Sequence, residues 1–312
     1  MQENLRVAVI QHGPVYLDKA KSLDKAITLL QEAVKEGARL VVFGETWLSG
    51  YPAWLDHCPD AGRWNHEPVK EVFAQTYQNA VSVDGPEIAT LCAQAGELGV
   101  ALMMGINEVV PGGLPQGTIF NSLIIINEEG ELVNQHRKLM PTYTEKLVYG
   151  HGDGAGLRSV ETRFGRLGGL ICWEHWMPHA RMAMHQQSEQ VHVALWPTVH
   201  EMHQINCRQY AFEGRCFVIG AGQIMRAKEL PSQLETPAHF AGKPEELVLK
   251  GGSCVIGPDG HYIAGPLFDE ETILYADLDL SHPIRERMNL DVTGHYNRPD
   301  VFRFEVNRER QL

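Results

Sequence analysis

The chain has 312 residues, 44% of them hydrophobic and 21% charged, which gives it ample apolar surface for a folded core and excludes a disordered chain. With 39 acidic against 27 basic side chains it carries a net charge of −12. No cluster of cations offsets that charge, so nucleic acid is excluded as a partner, and no window of about 18 apolar residues predicts a membrane span.

Arg6 to Gln11 reads as a short apolar strand. It begins almost at the N-terminus, without a charged segment ahead of a longer apolar one, so no signal peptide is expected. Asp18 to Glu36 carries Leu23, Ile27, Leu30 and Val34 at helical spacing, and Gly37 suits the residue that ends such a helix. Leu40 to Phe43 is too short for a helix and predicts a buried strand. The unit then recurs: a helix from Pro86 to Leu98, closed by Gly99, and a strand from Val100 to Ile106. Ile119 to Asn127 and Leu132 to Gln135 flank a hairpin-type turn at Glu128 to Glu131.

Further on, Arg166 to Cys172, Val191 to Trp196 and Phe217 to Ala221 predict strands, alternating with helices at Pro178 to Gln186 and Glu201 to Glu213. Ser253 to Ile256 and Tyr262 to Ala264 form a late hairpin, and Ile273 to Asp277 one more strand. Pro52 to Pro68 and Lys228 to Glu246 read as surface loops, the first bordering any cleft. No linker or composition break divides the chain, so the pattern predicts one mixed α/β domain over residues 1–312. The six cysteines contain no C-x-x-C pair, and reduced thiols in a cytoplasmic protein are expected.

Catalytic groups in α/β proteins gather just past the C-terminal ends of strands. Three unusual polar residues stand there: Glu45 after Leu40 to Phe43, Lys138 after the run from Leu132, and Cys172 after Gly168-Gly169-Leu170-Ile171. Their chemistry is complementary. A free thiol has a pKa of about 8.5, so a cysteine nucleophile needs an ammonium or helix-start N–H groups to become thiolate. A carboxylate can take and return its proton, and backbone N–H groups with a lysine can hold the negative charge formed on attack. Each alone has a plainer reading, respectively a capping carboxylate, a surface cation and a small core residue.

The words around them are Gly44-Glu45-Thr46-Trp47-Leu48-Ser49-Gly50-Tyr51-Pro52, then His136-Arg137-Lys138-Leu139-Met140-Pro141-Thr142, then Gly169-Leu170-Ile171-Cys172-Trp173-Glu174. In that order they resemble the nitrilase branch of the carbon–nitrogen hydrolase superfamily. The resemblance runs from about Arg6 to about Val301 and includes the closing Asp291 to Asp300. It implies Glu45 as general base, Lys138 as the lysine, Cys172 as nucleophile, and Glu145 as a second glutamate that orients the lysine or aids proton transfer. It also implies a four-layer α-β-β-α sandwich, no metal or organic cofactor, and a homodimer or higher homo-oligomer, with an extended C-terminal segment from about residue 281 at the subunit interface. The implied reaction converts a small-molecule nitrile to a carboxylic acid and ammonia through a thioimidate and a thioester.

Trp47, Tyr51, Trp173, His175, Trp196 and Thr198 follow these residues or end a neighbouring strand, and are expected to line a pocket for an aryl or alkyl nitrile. Rival readings are an aliphatic amidase or cyanide-degrading hydrolase using the same three residues, a catalytically silent scaffold, and a thiol redox sensor. Gly150 to Gly156 lacks the strand and lysine of a phosphate loop. His200-Glu201-Met202-His203 lacks the spacing of a zinc site.

Overall fold

The computed structural model describes residues 4–112 and 116–311. The chain opens as β1 (Asn4–Ile10), α1 (Lys19–Lys35) and β2 (Leu40–Phe43). Asp18 caps α1 by accepting from the Lys21 N–H. Next come α2 (Trp54–His57), α3 (Glu67–Asn79), α4 (Pro86–Leu98), β3 (Ala101–Glu108), β4 (Phe120–Ile126) and β5 (Leu132–Arg137). The second half holds β6 (Val160–Thr162), β7 (Gly165–Ile171), α5 (Pro178–His185), β8 (Val191–Leu195), α6 (Glu201–Gly214), β9 (Phe217–Ala221), β10 (Ile224–Arg226), β11 (Leu247–Ile256), β12 (Tyr262–Phe268), β13 (Ile273–Asp279) and α7 (His282–Glu286).

Two mixed sheets result. The first runs β13-β1-β2-β3-β4-β5, and the second β10-β11-β9-β8-β7-β6 with β12 against β11. Side chains alternate across each strand. Val7, Val9, Val42, Met103 and Leu123 therefore face the second sheet, where Leu167, Ile171 and Val193 meet them. Their neighbours Ala8, Ile10, Val41, Phe43, Leu102 and Ile124 face outward and bury Leu30 of α1 and Leu91 of α4. Helices α5 and α6 cover the second sheet with Ala183, Met184, Cys207 and Tyr210. The order helix, sheet, sheet, helix is the expected four-layer sandwich.

Three helices were not legible in advance, among them α7, which opens the segment expected to be extended from about residue 281. α2 lies within the stretch expected to be loop, and α3 begins at its end and buries only Val72 and Thr76. β11 starts at Leu247, six residues before the expected Ser253. Gly251 and Gly252, at φ 74° and 82°, hide its continuity. Beyond α7 the described residues form no further helix or strand. It is tied down by Arg310 against Asp153 at 3.0 Å and by Phe304 stacked on His179. Among the described residues, no helix is long and apolar enough to cross a membrane.

Candidate active site

The ends of three strands from the two sheets come together. Glu45 follows β2, Lys138 follows β5 and Cys172 follows β7. Glu45 sits where the chain turns sharply: Thr46, Ser49 and Gly50 all have positive φ. Gly105 of β3 makes that turn possible, because a side chain there would bring its first carbon within 2.3 Å of the Thr46 nitrogen. Gln223 donates to the Glu45 carbonyl at 2.7 Å and fixes it from the second sheet. The Lys138 N–H donates to the Asn121 carbonyl at 2.8 Å, continuing the β4–β5 ladder past its end.

The side chains meet. Lys138 Nζ donates to Glu45 Oε1 at 2.9 Å and to Glu145 Oε1 and Oε2 at 2.9 and 2.7 Å. One oxygen of each glutamate and the Cys172 sulfur lie within 4.8 Å of one another. The cation these acidic groups surround is the ammonium of Lys138. All four groups are buried, with Lys138 only 1% exposed. Asn121 Nδ2 donates to Glu45 Oε1 at 2.7 Å, and among the described residues Glu45 Oε2 has no partner. That oxygen is open to a proton. Glu145, in a short turn from Tyr143 to Leu147, is held by the Tyr51 hydroxyl at 2.9 Å and the Thr142 N–H at 2.8 Å.

Burial raises the Glu45 pKa to about 7, and the charge of Glu145 adds to it; Lys138 and Asn121 act in the opposite direction. Cys172 is pushed well above the usual thiol value by burial and then by Glu45, which together outweigh Lys138 and the Trp173 N–H. Lys138 is held protonated, because its three acidic neighbours outweigh the cost of burying it.

Cys172 has φ 53°, a left-handed conformation rare for a residue with a side chain. It is the first residue of a tight turn from Cys172 to Trp176 that leads into α5. Glu174 ties this turn to the Lys138 strand. Its carboxylate accepts from the Ile171 and Leu139 N–H groups, both at 2.7 Å, and from His136 Nε2 at 2.9 Å. One buried side chain thus fixes the spacing between nucleophile and lysine.

A cavity of about 830 Å³ opens onto the sulfur. Tyr51, Glu145, Cys172, Trp173 and Thr198 line it, with Phe240, Leu247, Val248 and Leu249 as further apolar wall, and Asp56 and His57 of α2 at its border. Trp173 stands half exposed. Three expected pocket residues are elsewhere. Trp47 is fully buried against Phe43 and donates to the His12 carbonyl at 2.7 Å. Trp196 is fully buried, stacked between His175 and His203. It packs toward the helix layer against His203 of α6, whereas Thr198, three residues past the end of β8, reaches the cavity. His175 is also buried outside the lining and points at the Cys172 carbonyl oxygen. Asn121, His136 and Glu174 were missed, although Glu174 lies inside the motif that identified the nucleophile.

The carbon–nitrogen hydrolase family profile matches residues 6–284. The chain is 40% identical over 306 residues to Nitrilase 2 from an unknown prokaryotic organism, covering 98% of this chain and 93% of that protein. It is 36% identical to the bifunctional nitrilase/nitrile hydratase NIT4B of Nicotiana tabacum, covering 95% and 84%. Among solved structures, Saccharomyces cerevisiae Nit3, a member of branch 10 of the nitrilase superfamily, superposes with a TM-score of 0.69 at 21% identity, covering 94% and 97%. The chain belongs to the carbon–nitrogen hydrolase family, in its nitrilase branch.

Proposed function

We propose that the protein hydrolyses an organic nitrile to the carboxylic acid and ammonia, with Cys172 as nucleophile. The observation that carries this is the convergence of the Cys172 sulfur, the Lys138 ammonium and the Glu45 and Glu145 carboxylates beneath one cavity. The thiol proton passes to Glu45 Oε2 as sulfur adds to the nitrile carbon. The nitrogen takes that proton, giving a thioimidate. Water, deprotonated by Glu45, adds to the same carbon, and expulsion of ammonia leaves a thioester. A second water releases the acid and returns the proton to sulfur. Lys138 and the Trp173 N–H stabilise the charge that develops in the tetrahedral states. Glu145 keeps Lys138 oriented and charged. Expulsion of the thiol in place of ammonia releases an amide.

Tyr51, Trp173, Phe240, Val248 and Leu249 offer an aryl or alkyl group an apolar wall. Exposed Met202, Ile205 and Phe212 of α6, and Ile284, Met288 and Phe302 near the C-terminus, support a homodimer or larger assembly, which sedimentation velocity tests. The six free cysteines, five of them buried, fit a reducing compartment such as the cytoplasm.

The test is a panel of benzonitrile, phenylacetonitrile and aliphatic nitriles beside their amides and cyanide, with ammonia and amide both quantified. Nitriles are expected to release mainly ammonia; turnover of amides alone rejects the reading. Run from about pH 5 to about pH 9, the same assay has an expected acid limb in kcat/KM. Glu45 must be ionised to act as base, so activity falls as pH drops below about 7. A flat profile down to about pH 5 contradicts that role.

A further inference from the structure

Four side chains form an unbroken hydrogen-bonded file that ends on the backbone of Cys172. His175 Nδ1 lies 2.7 Å from the Cys172 carbonyl oxygen, and its Nε2 lies 2.9 Å from His192 Nε2. His192 Nδ1 lies 2.9 Å from Glu189 Oε2, and the Tyr210 hydroxyl donates to Glu189 Oε1. All four are buried and none lines the cavity. Space for the carboxylate is made by Gly168 of β7, the strand that ends at the nucleophile. A side chain there would place its first carbon 2.1 Å from Glu189 Oε2.

The Cys172 carbonyl only accepts, so His175 must present Nδ1–H. An ionised Glu189 only accepts, so His192 must present Nδ1–H. The gap between the two Nε2 atoms needs one proton more. That makes three ring protons, whereas two neutral imidazoles carry two. One ring is therefore an imidazolium, balanced by Glu189. The ring against the carboxylate is His192, while burial and the neighbouring His192 push His175 toward its neutral form. Glu189 stays ionised: burial works against this, but His192 and the Tyr210 hydroxyl outweigh it. The other charged or titratable groups around the file are Arg181 and His203 beside His175, His185 beside Glu189, and Glu213 and Cys216 beside Tyr210.

We propose that Glu189, His192 and His175 are positioning residues, a proton-loaded relay that holds the Cys172 carbonyl and so keeps the nucleophile in its left-handed turn. The relay touches neither substrate nor sulfur. It acts through the backbone that aims the sulfur at the cavity, where a shift of about 1 Å costs about a hundredfold in rate. The proposal builds on Cys172 as the nucleophile of nitrile hydrolysis.

Three readouts on the full-length protein test it. Nuclear magnetic resonance of 15N-histidine-labelled protein at neutral pH should show one buried histidine with both ring nitrogens protonated. Glu189→Ala should lower kcat on phenylacetonitrile about a hundredfold at little-changed KM, and slow iodoacetamide alkylation of Cys172, mapped by peptide mass, by a similar factor. Glu189→Gln can donate to His192 Nδ1 and accept from Tyr210, so both rings can be neutral with every bond kept. It should lose the imidazolium signal yet keep kcat within about threefold.

Two neutral rings in the native protein would overturn the proposal. So would a folded Glu189→Ala variant with native kcat and alkylation, or a folded Glu189→Gln variant as impaired as a broken relay. If Glu189→Ala does not fold, the native spectrum and the Glu189→Gln variant decide. If the native protein turns over no nitrile, the spectrum and the alkylation rates still decide, and the two failures remain distinct.

Discussion

Replacing Cys172 with alanine is expected to lower nitrile turnover by at least about 10⁴-fold while leaving a folded protein, because the reaction loses its covalent path and the cluster keeps its ion pairs. The sulfur's backbone partner, the Trp173 N–H, lies in a turn that Glu174 holds independently of the thiol. Glu45, Lys138 and Glu145 stay bonded to one another. Alanine tolerates the φ of 53° no worse than cysteine, so stability should stay within about 1 kcal/mol, measured by denaturant unfolding. The comparison with serine is equally informative. A hydroxyl has a far higher pKa than a thiol, and burial beside Glu45 already pushes the thiol up, so Cys172→Ser should be about as inactive as Cys172→Ala. Undiminished ammonia release from either variant removes Cys172 from the mechanism.

The parts of this site that were readable in the sequence are those fixed by local pattern. Glu45 and Cys172 each follow a short apolar run and Lys138 ends a strand-like run from Leu132, and a strand end is where such a polar residue stands out. The four-layer arrangement and Glu145 came through resemblance, since neither periodicity nor spacing gives the order of strands in a sheet. What could not be read was direction. Trp47 lies two residues after Glu45, but the left-handed Thr46 between them sends the indole into the helix-facing core. Trp196 and Thr198 are close in sequence, yet one faces the helices and the other the cavity. His175 was expected at the substrate because it follows the nucleophile, and the tight turn instead folds its ring back onto the Cys172 carbonyl. Asn121, His136 and Glu174 gain meaning only when β4, β5 and β7 meet, because a polar residue in a strand says nothing of its partner on another. The same holds for Glu189 and His192, whose spacing acquires a role once Tyr210 and His175 close on them.

Lys138→Met tests the electrostatics of the whole cluster, and it should damage both stability and rate. Methionine fills much of the same volume but leaves Glu45 and Glu145 buried, facing each other without the ammonium that bridges them. Removing one partner from a buried ion pair costs about 3–5 kcal/mol, because an uncompensated charge is left in a poor dielectric. At least one carboxylate escapes that cost by holding a proton, so its folded pKa rises further above its unfolded value. The sign of the pH dependence follows. The folded variant binds more protons than the unfolded chain, so its stability is greatest below the unfolded carboxylate pKa and is lost as pH rises through the folded one. Urea unfolding should therefore show the variant weakest at neutral pH and closer to the native protein near about pH 5. Turnover should fall about 10²–10³-fold at every pH, because no cation remains to stabilise the charge formed when sulfur and then water add to the substrate carbon. A variant with native stability at neutral pH, or with its acid limb unmoved, would show that Lys138 does not hold these carboxylates in their charged state.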